Sequence, residues 1–196
     1  MKSRTRYIVP SVFVLFAVLL AMPGMAQPVC ITFEPPPFVL GTTYGAPVGQ
    51  VSGDLAFVTS GISGFVYKFS QVGGGTAFSR AFIDTAPVSF SPGQSLRFNN
   101  IDLQFDFSGV GFSVKKVTLS YLDLGGYENL AINGSSVYVG ELTAAPAILG
   151  GVNVAVTSTP VPPPTLGKMG TVTLKGAVRT LRIGGQEFWI DSVCAQ

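Results

Sequence analysis

The sequence predicts an all-β protein, built as a two-sheet antiparallel sandwich. Apolar residues recur at every second position instead of at helical spacing. Between these runs, 24 glycines and 14 prolines punctuate the chain. No segment has a convincing amphipathic helix pattern. Because 47% of the residues are apolar, the chain can bury enough surface to fold, and the glycines and prolines mark turns rather than disorder.

The alternation is clearest in residues 101–107, where apolar side chains alternate with Asp102, Gln104 and Asp106. We therefore expect Asp102 and Asp106 to face solvent. Similar runs predict strands at 29–33, 56–59, 65–69, 77–83, 117–121, 152–156, 171–174, 178–183 and 188–193. Asn133 and Gly134 predict a hairpin turn between 130–132 and 137–139, because both tolerate positive φ. Gly184 and Gly185 predict the turn of a last hairpin.

The remaining segments predict loops. Residues 143–149 have room for one helical turn, and the proline-rich stretches 35–37 and 159–165 predict rigid connections. About ten short strands at this spacing favour a sandwich over a closed barrel, and a jelly roll is a common sandwich whose two chain ends lie together.

Residues 1–26 are typical of a secretory signal peptide. Lys2, Arg4 and Arg6 precede an apolar stretch, and Gly24 and Ala26 supply the small residues expected before a cleavage site. The apolar stretch is about 15 residues long, shorter than the roughly 20 that a membrane-spanning helix needs. We therefore expect a secreted protein, extracellular or periplasmic, with no membrane span after cleavage.

Residues 27–196 have the length of a single β-sandwich domain. Without the three basic residues of the leader, 9 basic residues face 10 acidic ones, a net charge of −1. The basic residues are scattered, whereas nucleic acid requires a concentrated cationic surface. We therefore expect no nucleic-acid partner.

The two cysteines, Cys30 and Cys194, lie near the two ends of this domain, and the sequence contains no histidine. In an exported protein such a pair predicts a disulfide, with the first and last strands adjacent. The absence of histidine excludes Ser-His-Asp and Cys-His catalysis and histidine-ligated zinc.

A glycosidase or lyase remains an alternative, because it requires only a pair of carboxylates. Its candidates are Asp102, Asp106, Asp123, Glu128, Glu141 and Glu187. Among them Asp123 and Glu128 flank Gly125 and Gly126, close enough to share a loop.

Five short segments carry a resemblance to a known family: Phe33-Glu34, Gly41-Thr42-Thr43-Tyr44, Tyr121-Leu122-Asp123-Leu124-Gly125-Gly126, Asn133-Gly134 and Phe188-Trp189-Ile190-Asp191. Together they resemble secreted bacterial jelly-roll modules of the galactose-binding-like, carbohydrate-binding kind. The resemblance implies a non-catalytic module that binds an extracellular glycan or matrix polymer, often with a structural calcium near the joined chain ends.

For that calcium, Glu34 and Asp191 are the candidate ligands, since Ca²⁺ takes hard oxygen ligands. If Cys30 faces Cys194 across antiparallel strands, the register puts Phe33 opposite Asp191 and Glu34 opposite Ile190. Strict alternation would then point the two carboxylates to opposite faces, unless the strand ends or a bulge intervenes. Asp54 and carbonyls near Gly41 are further candidate ligands.

Glycan binding requires an aromatic platform and polar groups that hydrogen-bond hydroxyls. The candidates are Tyr44, Tyr127, Arg97, Asn99, Asp123 and Glu128, with Asn100 beside them. Trp189, in a terminal strand, is expected in the core. Asn133 begins a glycosylation sequon, but its turn explains it sufficiently. A structural surface or matrix subunit is the third function left open.

Overall fold

The computed structural model describes residues 27–196, so the predicted signal peptide lies outside the described part of the chain. Within this range the regular secondary structure is almost entirely antiparallel strand, which confirms the all-β class. Two short 3-10 helices, Ala46–Val48 and Leu142–Ala144, interrupt the strands. The second overlaps the first two residues of the segment 143–149, where one helical turn was expected.

The strands, in chain order, are β1 (Val29–Ile31), β2 (Thr43–Gly45), β3 (Leu55–Thr59), β4 (Ile62–Ser70), β5 (Thr76–Ala77), β6 (Arg80–Asp84), β7 (Ser95–Asn99), β8 (Ile101–Asp106), β9 (Lys116–Ile132), β10 (Tyr138–Gly140), β11 (Ile148–Leu149), β12 (Val152–Pro160), β13 (Lys168–Lys175) and β14 (Thr180–Ala195). Their hydrogen bonds join β11-β12-β13-β9-β14-β7-β6-β2 in that order. From this path β1 and β8 branch off β14, β10 branches off β9, and β4 joins β8 to β3 and β5.

The two longest strands, β9 and β14, pair with each other along most of their lengths. The first half of β14 also pairs with β8, and its second half pairs with β7 and then β1. Because β14 pairs with several strands, its register shifts bring together side chains that are distant in sequence. Two of the three register shifts between β9 and β14 fall near Gly185 and Glu187, opposite Gly125, and the third lies between Asp191 and Cys194.

Gly184 and Gly185 do not form a turn, so the expectation of a last hairpin there was wrong. Both lie inside β14, which continues from Thr180 to Ala195. A Cβ on Gly184 would overlap the backbone of Ile101 and Asp102, and one on Gly185 would overlap Phe188. These glycines therefore permit close approach of neighbouring backbone and side-chain atoms rather than a change of chain direction.

Asn133 and Gly134 do form the expected turn, with φ of 53° and 73°. The turn is closed by the Ser135 N–H, which donates to the Ile132 carbonyl at 3.0 Å. The Asn133 side chain donates to the Ala177 carbonyl at 2.8 Å and accepts from the Arg179 N–H at 2.7 Å. Its amide thus ties the turn to the segment that precedes β14.

The cysteines are paired as predicted, with Cys30 opposite Cys194 and their Cα atoms 4.0 Å apart. Val29 faces Ala195 and Ile31 faces Val193, which is the register derived from the sequence. The ladder ends at Ile31, before it can reach Glu34. Phe33 and Ser192 then adopt positive φ, 57° and 54°, so strict alternation does not extend to Glu34 and Asp191.

One large apolar core takes side chains from nearly every strand, including Phe33, Phe98, Phe105, Tyr121 and Phe188. A smaller cluster forms around Leu122, Val161 and Trp189, so Trp189 is a core residue as expected. The large core includes side chains of β9 and β14. Its packing therefore fixes the two strands that carry most of the polar groups described below.

Asp102 was expected to face solvent, and this was wrong. Its side chain has no exposed surface and accepts hydrogen bonds from the Arg182 Nε at 2.8 Å and the Asn129 Nδ2 at 3.1 Å. Arg182 belongs to β14, which pairs with β8, and Asn129 belongs to β9, the strand on the other side of β14. Asp106, at the end of the same strand, is partly exposed and caps the Ser108 N–H at 2.8 Å.

Candidate functional site

The main candidate site is a cluster of three carboxylates that we call the acidic cluster: Asp123, Glu128 and Glu141. Each offers one oxygen, and these oxygens all lie within 4.8 Å of one another. Asp123 and Glu128 belong to β9, and Glu141 follows the end of β10. The pairing of Gly140 with Glu128 brings Glu141 back to β9.

A local irregularity of β9 lets Asp123 and Glu128 meet. Residues five apart in a regular strand point to opposite faces. Between them, however, β9 carries extra residues relative to β14, since Asp123 pairs with Phe188, Gly125 with Glu187 and Glu128 with Gly185. Gly125 and Gly126 have φ of 142° and 96°, which side chains rarely adopt. The two glycines therefore permit the distortion that brings the carboxylates together.

Burial controls the charge of the acidic cluster. Glu128 has no exposed surface, and its Oε2 accepts from the Leu142 N–H at 3.3 Å. Burial, followed by the charges of Asp123 and Glu141, raises the pKa of Glu128 to about 9. Burial also raises the pKa of Asp123, while the Gly125 N–H, 2.9 Å from its Oδ1, lowers it. Burial therefore disfavours the charged form of both carboxylates.

Lys168, at the start of β13, is the only basic residue of the described chain that is paired with the cluster. It lies opposite Asp123 in the ladder, and its Nζ is 2.5 Å from Glu141 Oε2. Both partners of this ion pair are partly exposed. They line a cleft of about 240 Å³ together with Asp123, Leu124, Gly125 and Gly167. Solvent therefore reaches the cluster from the Asp123 and Glu141 side.

A second cleft, of about 370 Å³, adjoins the first at Gly125. We call it the amide cleft, and it is lined by Asn99, Asn100, Gly125, Gly126, Gln186 and Glu187. Asn100 is held between its neighbours: its Nδ2 donates to Asn99 Oδ1 at 2.9 Å, and its Oδ1 accepts from Gln186 Nε2 at 3.2 Å. The cleft thus presents side-chain amides, a carboxylate and glycine backbone.

The predicted aromatic residues have different locations. Tyr127 is 44% exposed and follows Gly126 directly. Tyr44 is only 7% exposed, because it packs edge-on against Phe57 in the core, and burial raises its pKa to about 12. Of the two, only Tyr127 is exposed to solvent, and it is adjacent in sequence to Gly126, which lines the amide cleft.

Arg97 serves the packing of the sheet. Its guanidinium lies 4.5 Å from the Trp189 ring centroid and 5.2 Å from that of Phe82, and it pairs with Asp84 at 3.4 Å. Asn99, two residues further along β7, lines the amide cleft. Of these two predicted ligand-binding residues, Arg97 therefore packs against aromatic rings of the sheet, and Asn99 lines an open cleft.

Glu34 and Asp191 lie near each other and bind the same loop. The Gln94 N–H donates to Glu34 Oε1 at 2.6 Å, and Ser91 Oγ donates to Asp191 Oδ2. Asp191 is buried, and its pKa is raised to about 6, first by burial and in small part by the charge of Glu34. Both oxygens of Glu34 have partners, since Gln94 Nε2 also lies 3.4 Å from Oε2. These carboxylates thus anchor residues 91–94 to the joined chain ends.

No family model, curated protein or solved structure matches this chain. In residues 27–196 there is also no helix both long and apolar enough to cross a membrane. The interpretation of the site therefore depends on its own geometry.

The sequence did not predict two members of the acidic site. Glu141 appeared only among six scattered carboxylates, and Lys168 was not singled out. Both reach Asp123 through pairings of β9, with β10 for Glu141 and with β13 for Lys168. Their one sequence signal is that Glu141 lies two residues after the run 137–139 and Lys168 lies three residues before the run 171–174. The pairing partners of those runs cannot be read from alternation.

Proposed function

We propose that this protein is a secreted, non-catalytic β-sandwich module that binds an extracellular glycan or matrix polymer. The amide cleft is the observation that carries the proposal. Sugar hydroxyls both donate and accept hydrogen bonds, and side-chain amides offer both in one group. Asn99, Asn100 and Gln186 present three such amides around one open cleft.

The neighbouring groups fit the same chemistry. Glu187 lines the cleft and can accept from a hydroxyl, and Gly125 and Gly126 leave their backbone accessible. Tyr127 follows Gly126 in sequence but does not line the cleft; it is exposed and has an aromatic ring of the kind on which the apolar face of a sugar packs. Asp123 and Glu141 line the adjoining cleft, so a polymer longer than one sugar has polar groups to meet on both sides of Gly125.

The glycosidase alternative has less support. A general acid must reach the glycosidic oxygen, and Glu128, the carboxylate with the pKa suited to an acid, has no exposed surface. Asp123 and Glu141 reach the cleft, but Glu141 is already paired with Lys168. We therefore assign the cluster a role other than bond cleavage.

A broad polysaccharide array tests the proposal. We expect the protein to bind at least one glycan, and the N99A/Q186A double variant to bind it about tenfold or more weakly, because each lost hydrogen bond weakens a polar contact. N153A, which removes an exposed amide on β12, is the matched control and should bind as the wild type does.

Three results would overturn the proposal. Absence of glycan binding together with self-assembly would favour a structural subunit. Release of reducing sugar, abolished in D123A or E128A, would favour the enzyme. Binding that survives N99A/Q186A unchanged would place the ligand elsewhere.

A further inference from the structure

We propose that the acidic cluster is a binding site for a hard divalent cation, calcium in an extracellular setting. The inference starts from the convergence of Asp123, Glu128 and Glu141, each with an oxygen within 4.8 Å of the others. This spacing allows one ion to contact all three, because Ca²⁺ binds oxygen ligands at about 2.3–2.6 Å.

The independent observation is an oxygen of Glu128. Its Oε1 is buried and has no hydrogen-bond partner, although Oε2 accepts from Leu142. A buried polar atom without a partner is destabilising, and more so when it is charged. A cation held between the three carboxylates would provide that partner and repay the cost.

The charges in the cluster point the same way. Three carboxylates are matched by one ammonium, Lys168, which contacts Glu141. Asp123 and Glu128 are both buried, and neither forms an ion pair of its own in the described part of the chain. A divalent ion bound between the three carboxylates would supply the missing positive charge.

The ligand set selects the kind of metal. Carboxylate oxygens without histidine or thiolate suit Ca²⁺ or Mg²⁺ rather than zinc or copper. Ca²⁺ takes about 6–8 oxygen ligands in flexible geometry. The open side of the site, at the cleft between Asp123, Glu141 and Gly167, has room for waters that complete such a shell.

This site differs from the one predicted at Glu34 and Asp191. There Asp191 Oδ1 is also buried without a partner, but only two carboxylates approach each other, and both oxygens of Glu34 already accept hydrogen bonds from Gln94. The two locations are far apart along the chain and can be tested in one experiment. The inference also stands apart from the glycan proposal, because cation binding is measured without any sugar.

The experiment measures thermal unfolding and Tb³⁺ luminescence of the purified protein. Calcium should raise the melting temperature, and a chelator should reverse the rise. Tb³⁺, a luminescent substitute for Ca²⁺, should be sensitised by Tyr138, whose hydroxyl donates to the Glu141 carbonyl at 2.8 Å. Calcium should displace the Tb³⁺ signal.

The variant E128Q should abolish these effects or raise the half-saturating calcium concentration by about 100-fold, because affinity follows the number of charged ligands. Its amide can still accept from Leu142, so the chelated variant should fold like the chelated wild type. If E128Q does not fold, D123N takes its place. K168M should bind calcium more tightly, since it removes a competing positive charge.

The double variant E34Q/D191N is the matched control, and it should keep the full calcium response. The proposal is overturned if calcium leaves the wild-type melting temperature and Tb³⁺ emission unchanged, or if the folded E128Q or D123N variant responds like the wild type. Loss of the response in E34Q/D191N alone would instead assign the ion to the joined chain ends.

Discussion

Arg182 holds Asp102 through a buried ion pair, with 2.8 Å between Arg182 Nε and Asp102 Oδ2. The guanidinium also stacks 4.8 Å from the Tyr67 ring centroid and donates to the Lys68 carbonyl. It therefore joins β14 to both β8 and β4. Asn129 of β9 donates to the same carboxylate, so Asp102 links three neighbouring strands of the sheet.

R182M should consequently destabilise the protein by about 3–5 kcal/mol, because it leaves a buried carboxylate without its cation. Urea unfolding followed by tryptophan fluorescence measures the change. R179M, which removes the same charge from an exposed position, should change the free energy of unfolding by no more than about 0.5 kcal/mol. Equal effects of the two variants would contradict a structural role for the pair.

Asp102 also predicts a pH dependence. Burial outweighs Arg182 and Asn129 and raises its pKa to about 6, above the model-compound value of 3.8. The folded state therefore binds the Asp102 proton more tightly than the unfolded state does. This difference stabilises the folded state at low pH, and the stabilisation is lost as the pH rises from about 4 through about 6. D102N should remove this loss, on the order of 2–3 kcal/mol.

The measurement is urea unfolding of wild type and D102N at several pH values between 4 and 7. Asp191, whose pKa is also raised to about 6, titrates in both proteins, so the difference between them isolates Asp102. A constant difference over this range would show that Asp102 does not change its protonation on folding.

The disulfide should contribute strongly to stability. It closes a loop of 164 residues between Cys30 and Cys194, which in the chain-entropy model contributes about 4–5 kcal/mol as an upper value. The double variant C30A/C194A should lose most of this, and reduced wild type should unfold at the same denaturant concentration as the variant. A variant as stable as the oxidised wild type would mean that the strand pairing of β1 with β14 needs no covalent link.

The Asn133 side chain should be required for the turn that precedes β10. N133A removes its bonds to Ala177 and Arg179 and leaves a non-glycine residue at a φ of 53°. We expect a loss of about 1–3 kcal/mol in the free energy of unfolding. N153A, whose amide makes one long bond of 3.4 Å, is the control and should be nearly neutral. A neutral N133A would show that the turn is held by its backbone alone.

The sequence correctly predicts features that depend on residues close together along the chain. Alternation identified most strands, and the tolerance of Asn133 and Gly134 for positive φ located a turn. The two cysteines fixed one register, because a disulfide joins positions that must face each other. The strand β7 (Ser95–Asn99) was missed, because it is short and has only two apolar residues, Leu96 and Phe98.

The predictions that failed concern features that depend on which strands pair with each other. The alternation predicted that Asp102 faces solvent, because the pattern of one strand contains no information on the residues of other strands that cover its polar face. A pair of glycines has the same sequence whether it turns the chain or admits close contacts, and Gly184 and Gly185 do the latter. Likewise, only the pairings of β9 with β10 and β13 bring Glu141 and Lys168 to Asp123.

The most direct test of the proposed function is an NMR titration with a soluble oligosaccharide of the glycan bound best on the array. The amide cleft carries its own reporters, since the side-chain amides of Asn99, Asn100 and Gln186 give separate signals. We predict that these and the backbone amides of Gly125 and Gly126 shift on binding, and do so with chelator present. Shifts confined to other residues, or no shifts at saturating oligosaccharide, would contradict the assignment of the amide cleft as the glycan site.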